Sequence, residues 1–367
     1  MKLPPALHDA YTADTLSARQ AQRLAEFIAF GPVIFQVARV MLHRGMLDRL
    51  RDSDQGLTVH ELAQACSLSD YGTQVLLEAA LTAGIVLIDP DSERYSLSKV
   101  GWFLINDPAT RVNIDFNHDV NYQGFFHLDE AIAQGRPAGL SHFGDWDTIY
   151  EGLSSLPEQV QRSWFAFDHF YSDNSFEQAL DVVFDQPVRR LLDVGGNTGR
   201  WAMQCVARDP QVQVTIVDLP QQLELMRTHT AGKPGCDRIN GHGMNLLDAE
   251  AQFPGDHHYD VIWMSQFLDC FAPDDIVSIL SRAARVMDAR TRLCIMETLW
   301  DRQRFEPAAL CLTQISLYFT VMANGNSKMY STDDLRRAIT AAGLTVETIH
   351  DHLGQGHSIV VCRKTTE

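Results

Sequence analysis

The segment LLDVGGNTGRWA, Leu191 to Ala202, constrains this chain more than any other. An apolar run stops abruptly in Gly195-Gly196-Asn197-Thr198-Gly199 and continues into a helical pattern. Glycines let a backbone turn tightly and approach a ligand closely, and the helix that follows offers free N–H groups at its start. A strand–glycine loop–helix unit of this kind belongs in a parallel sheet covered by helices. The rest of the C-terminal half agrees. Apolar strand candidates lie at Arg190–Val194, Val214–Leu219, Tyr259–Gln266, Arg292–Leu299, Thr345–His350 and Ser358–Cys362, with helices between them, including Asp274–Met287 and Thr332–Ala342. Alternating strands and helices predict a mostly parallel sheet whose ligand binds at the strands' carboxyl ends.

The loop spacing is G-G-x-x-G and not the G-x-G-x-x-G of dinucleotide binders, so it can hold a pyrophosphate or a nucleoside-linked amino acid. The second strand closes on Val217-Asp218-Leu219-Pro220, with Asp218 23 positions after Gly195. An acid at that strand tip is placed to accept both hydroxyls of a ribose; its simpler role is a turn carboxylate.

Upstream, residues 18–50 read as helices broken at Gly31-Pro32. Residues 57–100 read as helix, turn, helix and hairpin: Thr58 or Val59 opens one helix with Glu61 in its first turn, Ser69 caps the next, and Ile85–Ile88 and Tyr95–Leu97 flank a turn at Asp89–Ser92. This is a winged-helix pattern, which serves DNA binding or dimerisation. The second helix has no Lys or Arg, and 57–100 hold six acidic and two basic residues. The whole chain carries 47 acidic against 30 basic residues, a net charge of −17. Such a field repels phosphate backbones, so dimerisation is expected and nucleic acid is not.

Seven scattered cysteines without a C-x-x-C pair suggest reduced thiols in a cytoplasmic setting, and no metal-ligand spacing is present; His257-His258 reads as a polar loop. The opening residues carry no signal-peptide pattern, and the stretch Phe27 to Leu42 is too interrupted to span a bilayer. Residues 101–185 look helical and aromatic-rich, with breaks at Gly135-Arg136-Pro137 and Leu156-Pro157. Tyr122 and Trp164 there are candidates for the wall of an aromatic pocket, or ordinary core aromatics.

LDVGGNTG followed by VDLP, behind a winged helix, resembles the class I S-adenosylmethionine-dependent methyltransferases, and among them the small-molecule O-methyltransferases with an N-terminal winged-helix dimerisation domain. That group includes plant phenolic, acetylserotonin-type and bacterial polyketide-tailoring enzymes. The resemblance implies an α/β fold: a Rossmann-like methyltransferase domain at 186–367, preceded by a mainly α dimerisation domain at 1–108 and a helical linker at 109–185. It also implies that Gly195, Gly196 and Gly199 shape the loop around the amino-acid end of S-adenosylmethionine, that Asp218 takes the ribose and that Leu219 lies against the adenine. The family's Gly-Asp-Met-Phe segment corresponds to Gly241-His242-Gly243-Met244-Asn245, in which Met244 matches and Asn245 or Asp248 replaces the missing acid.

The family's catalytic segment, roughly L-K-W-I-L-H-D-W, corresponds to Met264-Ser265-Gln266-Phe267-Leu268-Asp269-Cys270-Phe271. Ser265 stands for the lysine, on the cofactor side, and Asp269 for the base histidine. Met329 stands where the family has the glutamate that orients that histidine. Three outcomes stay open. Asp269 serves as base; or a histidine among His118, His127 and His169 does; or the acceptor needs little help, being a carboxylate or an activated carbon, or no methyl is transferred and the same cofactor serves non-methylating decarboxylase, hydroxylase or cyclase chemistry. Asp269 also reads as a cap or first-turn acid for the helix at Pro273, and Glu297 as structural. Tyr318, Met322 and Asn326 fall in the region that lines the family's acceptor pocket. FDHFYSDNSF, MSQFLDCF and SLYFTVMANGNSKMY resemble a bacterial branch tied to aromatic polyketide or aryl-polyene pigments, which implies a hydroxylated aromatic-polyene acceptor, free or presented on a carrier protein.

Overall fold

A computed structural model describes residues 3–255 and 258–365, so His257 lies outside the described residues. The chain forms two compact units: Met1–Thr12 with Asn121–Gln161 and Asp168–Glu367, and Ala13–Val120 with Arg162–Phe167.

The smaller unit follows the sequence pattern closely. Helices Ala18–Ala29 and Gly31–His43 meet at a bend of 70°. Proline at the second position of the latter explains the break, because it has no N–H to give to the preceding turn. No single helix among the described residues is long and apolar enough to cross a membrane. Thr58 caps helix Val59–Cys66 and Glu61 bonds back to it, a reciprocal pair worth ~1 kcal/mol. Ser69 caps Asp70–Thr82 through the Gly72 N–H. Strands β1 (Val86–Asp89) and β2 (Arg94–Leu97) pair antiparallel as the wing. Met41, Leu47, Leu62, Leu77 and Val86 are fully buried beneath it. Leu24, Phe27, Ile28, Phe30 and Val33, in contrast, keep 40–72% of their surface exposed.

The larger unit is built on a seven-stranded sheet of order β5-β4-β3-β6-β7-β9-β8. Its strands are β3 (Arg190–Val194), β4 (Gln213–Asp218), β5 (Ile239–Gly243), β6 (Val261–Ser265), β7 (Arg292–Glu297), β8 (Leu344–Leu353) and β9 (His357–Lys364). The first five are parallel, and β9 runs antiparallel to both β7 and β8. Both faces are covered. Leu192, Ile262 and Leu293 point into one apolar layer, and Leu191, Trp263 and Cys294 into the other. The chain winds from β3 outward through β4 to β5 and then returns to β6, so the strand order reverses beside β3, the place where open sheets of this kind bind their ligands.

Strand β5, Ile-Asn-Gly-His-Gly, is absent from the apolar candidates because it lies at the edge and buries only Ile239; its place comes from main-chain pairing with β4. Strand β4 ends at Asp218, and Leu219 is already the cap of helix Pro220–Thr230.

Candidate functional site

Strand β3 is buried from Leu191 onward and delivers the glycine loop to the middle of the sheet edge. Gly195 has φ +74°, a conformation that costs a side-chain-bearing residue ~1–3 kcal/mol. A Cβ there would also run into the Phe267 ring. Gly195 N–H donates to the Val217 carbonyl at 2.9 Å, which pins the loop to the end of β4. Asp218 does the same from its side chain, accepting the Asn197 N–H at 2.9 Å and the Leu219 N–H at 2.8 Å. Burial raises the pKa of Asp218, opposed by these two donors. Each carboxylate oxygen retains a second lone-pair direction for a further donor.

Beneath the loop lies a residue that the sequence reading did not single out. Asp193 is 2% exposed, and its Oδ2 has no hydrogen-bond partner. A Cβ on Gly196 would come within 2.6 Å of that oxygen. Burial, and secondarily the charge of Asp218, push Asp193 up to about 8, so it holds a proton at neutral pH. The signal for it was present: an acid inside an otherwise apolar strand, next to a glycine loop. An orphaned buried oxygen under a glycine, beside a second acid, fits a ligand that brings positive charge and hydrogen-bond donors. The ammonium, sulfonium and ribose hydroxyls of S-adenosylmethionine meet that description.

At the tip of β5, Gly243 pairs with Asp218 across β4 and β5, and Met244 N–H donates to the Asp218 carbonyl at 2.9 Å. Met244 is buried and Leu219 exposed, on either side of the strand tip. Asn245 Oδ1 accepts the Leu247 N–H and Asp248 Oδ1 the Glu250 N–H, so both side chains close their own turns. Ser265 is half-buried at the end of β6.

The segment 264–271 ends β6 in a tight turn. Gln266 takes φ +44°, unusual for a residue with a side chain, and re-aims the chain after β6. Glu297, which closes β7 and is buried, accepts the N–H groups of Phe267 and Leu268 at 3.1 and 2.9 Å. Asn324 Nδ2 donates to the Cys270 carbonyl and the Tyr330 hydroxyl to the Phe271 carbonyl, each at 2.7 Å. Asp269 sits inside this clamp, 5% exposed. Its reading as a helix cap is corrected here: Ala272 caps helix Pro273–Arg285, and Asp269 belongs to the preceding turn. The carboxylate that supports the segment is Glu297, so the missing acid at position 329 does not leave the turn without one. Met329 is buried and its sulfur accepts the Thr298 hydroxyl. Burial pushes Asp269 up to about 7, with a hydrogen bond from Cys270 opposing; burial and then the Asp269 charge push Glu297 up as well.

The three histidines separate. His127 is exposed and 3.3 Å from Glu130, a surface pair. His169 Nδ1 lies 3.3 Å from Arg200, on the helix after the glycine loop. His118 belongs to the smaller unit, with Nδ1 2.7 Å from Asp119, whose other oxygen accepts the Ser163 hydroxyl at 2.6 Å. Trp164 belongs to that unit too, edge-on to Phe165. Tyr122 is half-buried in the larger unit. Tyr318 and Met322 are buried, and Met322 packs so closely on Gly124 that a side chain there would collide with its sulfur. Asn326 is exposed and lines a groove of about 380 Å³ with Ser316, Thr320 and Tyr330.

Residues 22–95 match the Dimerisation2-like domain family and residues 126–345 the O-methyltransferase domain family. The chain is 22% identical over 352 residues to L-tyrosine C(3)-methyltransferase of Streptomyces lavendulae, covering 92% of each. It is 23% identical to human acetylserotonin O-methyltransferase, over 85% of this chain and 90% of that one. Its fold superimposes on the apo S-adenosylmethionine-dependent methyltransferase SibL with a TM-score of 0.72 at 21% identity, covering 93% and 98% of the two chains. With residues 126–345 matched, more than half of its length, this chain belongs to the O-methyltransferase domain family, behind a Dimerisation2-like domain.

Proposed function

We propose that the protein transfers the methyl group of S-adenosylmethionine to a phenolic hydroxyl of a small aromatic or polyketide-derived acceptor, with Asp269 as the base. The observation that carries this reading is the position of Asp269. It is a buried carboxylate in a rigid turn, next in sequence but one to Phe267, whose ring packs on Gly195 of the cofactor loop.

S-adenosylmethionine supplies an electrophilic methyl on a sulfonium and leaves as a neutral thioether. Asp193 and Asp218 offer acceptors to its ammonium and ribose, and the glycine loop lets the main chain come close. A phenol has a pKa near ~10 and is mostly protonated at neutral pH. Asp269, pushed up to about 7 by burial, is a stronger base than an ordinary carboxylate and takes the phenolic proton as the oxygen attacks carbon. The proton then passes from Asp269 to solvent, and the buried turn resets. Holding donor and acceptor in line provides much of the remaining acceleration.

The relationship to a tyrosine C(3)-methyltransferase over 92% of both chains favours one second reading, transfer to the ring carbon beside the same hydroxyl. That reaction also needs the phenol deprotonated, and the ring proton leaves after the new carbon–carbon bond forms. Incubation with methyl-labelled S-adenosylmethionine and a panel of phenols, including tyrosine and N-acetylserotonin, separates the two by product NMR. Asp269→Asn is expected to cut turnover at least a hundredfold with cofactor affinity preserved. Near-normal turnover would transfer the role to His118, His127 or His169.

The protein is further read as a homodimer joined through the exposed apolar side chains of helices Ala18–Ala29 and Gly31–His43. All seven cysteines are free, in keeping with a reducing, cytoplasmic setting.

A further inference from the structure

The turn that carries Asp269 has its main chain held on every side, by Glu297, Asn324 and Tyr330. The Asp269 carboxylate itself accepts the main-chain N–H groups of Asp269 and Cys270. A base must present one oxygen to the acceptor, so something has to take the other.

The Tyr150 hydroxyl lies 3.2 Å from the Cys270 sulfur, and that sulfur lies 3.6 Å from Asp269 Oδ1. Tyr150 comes from helix Ile149–Gly152, anchored by the fully buried Ile149, 120 positions before Cys270. We propose that Cys270 and Tyr150 are positioning residues for Asp269: the hydroxyl donates to the sulfur, the thiol donates to Oδ1, and the second oxygen of Asp269 is left for the acceptor. The inference rests on reading Asp269 as the base.

The direction of the chain follows from proton counts. A phenol and a thiol each carry one hydrogen, and the carboxylate has none when ionised. Burial pushes both Tyr150 and Cys270 well above their ordinary ranges, so each keeps its hydrogen at neutral pH. The Tyr150 hydrogen goes to sulfur, and the thiol hydrogen goes to the carboxylate. A sulfur that accepts one hydrogen bond donates a stronger one. The thiol therefore acts as a donor here and is too firmly protonated to be a nucleophile.

The groups around Asp269 set the sign of its titration. Glu297 from β7, Asp168 from helix Glu158–Ser172 and the Tyr330 hydroxyl surround it, together with Tyr150 and Cys270. Burial and the Asp168 charge raise it, while the thiol hydrogen bond, and after it the N–H groups of Asp269 and Cys270, lower it. Loss of the thiol donor should raise it further.

Infrared spectroscopy of the full-length apo protein tests this, using the S–H stretch isolated as a wild-type minus Cys270→Ser difference. The band is expected to move to lower frequency as Asp269 ionises, and to stay fixed with pH in Asp269→Asn. A band indifferent to pH in the wild type overturns the proposal. The second measurement is the pH–rate profile with the best phenol from the panel above. Cys270→Ala should move the acid limb upward by about half to one pH unit, a roughly three- to tenfold loss at pH ~6.5 that vanishes near pH ~9. Cys270→Ser, which keeps a donor, should restore the wild-type limb. Cofactor affinity by calorimetry confirms that each variant is folded. A Cys270→Ala limb coincident with wild type, while Asp269→Asn is inactive, overturns the positioning role alone. Normal turnover in Asp269→Asn overturns the base reading instead, and the positioning role with it.

Discussion

Asp218 and Asn197 are joined across the tips of two neighbouring strands, the carboxylate of one accepting the main-chain N–H of the other at 2.9 Å. The ribose acid expected from sequence is thus also the strut that shapes the glycine loop. If Asp218 also holds the ribose, one side chain couples cofactor affinity to loop order.

Asp218→Ala should weaken S-adenosylmethionine binding by about 10–100-fold, since a lost hydrogen bond to a charged group costs ~1.5–3 kcal/mol. Isothermal calorimetry of wild type and variant measures it. Equal affinities would remove the ribose contact from the account.

Asp193 makes a prediction about pH. Its pKa is raised to about 8 in the folded chain against an ordinary value of 3.8, so the folded state binds the extra proton between those limits. Stability from this group is complete below the unfolded value and declines as pH rises, until it is lost above about 8. Asp193→Asn removes that dependence. Thermal unfolding of the apo chain should show the variant melting above wild type at pH ~8.5 and the gap narrowing toward pH ~6. A gap that does not change with pH would contradict a buried, protonated Asp193.

Gly195→Ala introduces both a strained φ and a collision with Phe267. Denaturant unfolding should show a loss of ~2–4 kcal/mol. Adding Phe267→Ala should recover the part due to the collision and leave the backbone part. A double variant no better than the single one would mean that the ring does not pack on the loop.

The smaller unit exposes Ile28 at 72%, near the end of helix Ala18–Ala29, and Phe30 at 58%, at its junction with helix Gly31–His43. Ile28→Glu with Phe30→Glu should convert the proposed dimer to a monomer by light scattering at micromolar concentration. Monomeric wild type, or an intact dimer in the variant, would place the interface elsewhere.

Much of this protein is legible in its sequence, because local physics writes it there. The caps Thr58 and Ser69, the Pro32 break, the wing turn and the buried strands all depend on neighbours a few residues away. The loop Gly195–Gly199 and Asp218 are likewise local signals, and the family resemblance supplied their expected partners. Strand β5 was illegible as an apolar run because an edge strand needs only one buried side chain.

The chemistry of the site is a different matter. From sequence, Asp269 reads as either a base or a helix cap and Glu297 as structural; the turn at 266–271, held by Glu297, sets Asp269 apart from the helix that follows. Asp193 looked like one more strand residue until its oxygen proved to have no partner. The Tyr150–Cys270 bond links positions 120 apart. The sequence by itself determined the order of the buried strands, the loop and the acid at its strand tip, since each follows from spacing and local conformation. Only the tertiary structure decided which carboxylates are buried together and which donors reach them, because burial and long-range contact set a group's charge and no local pattern records either.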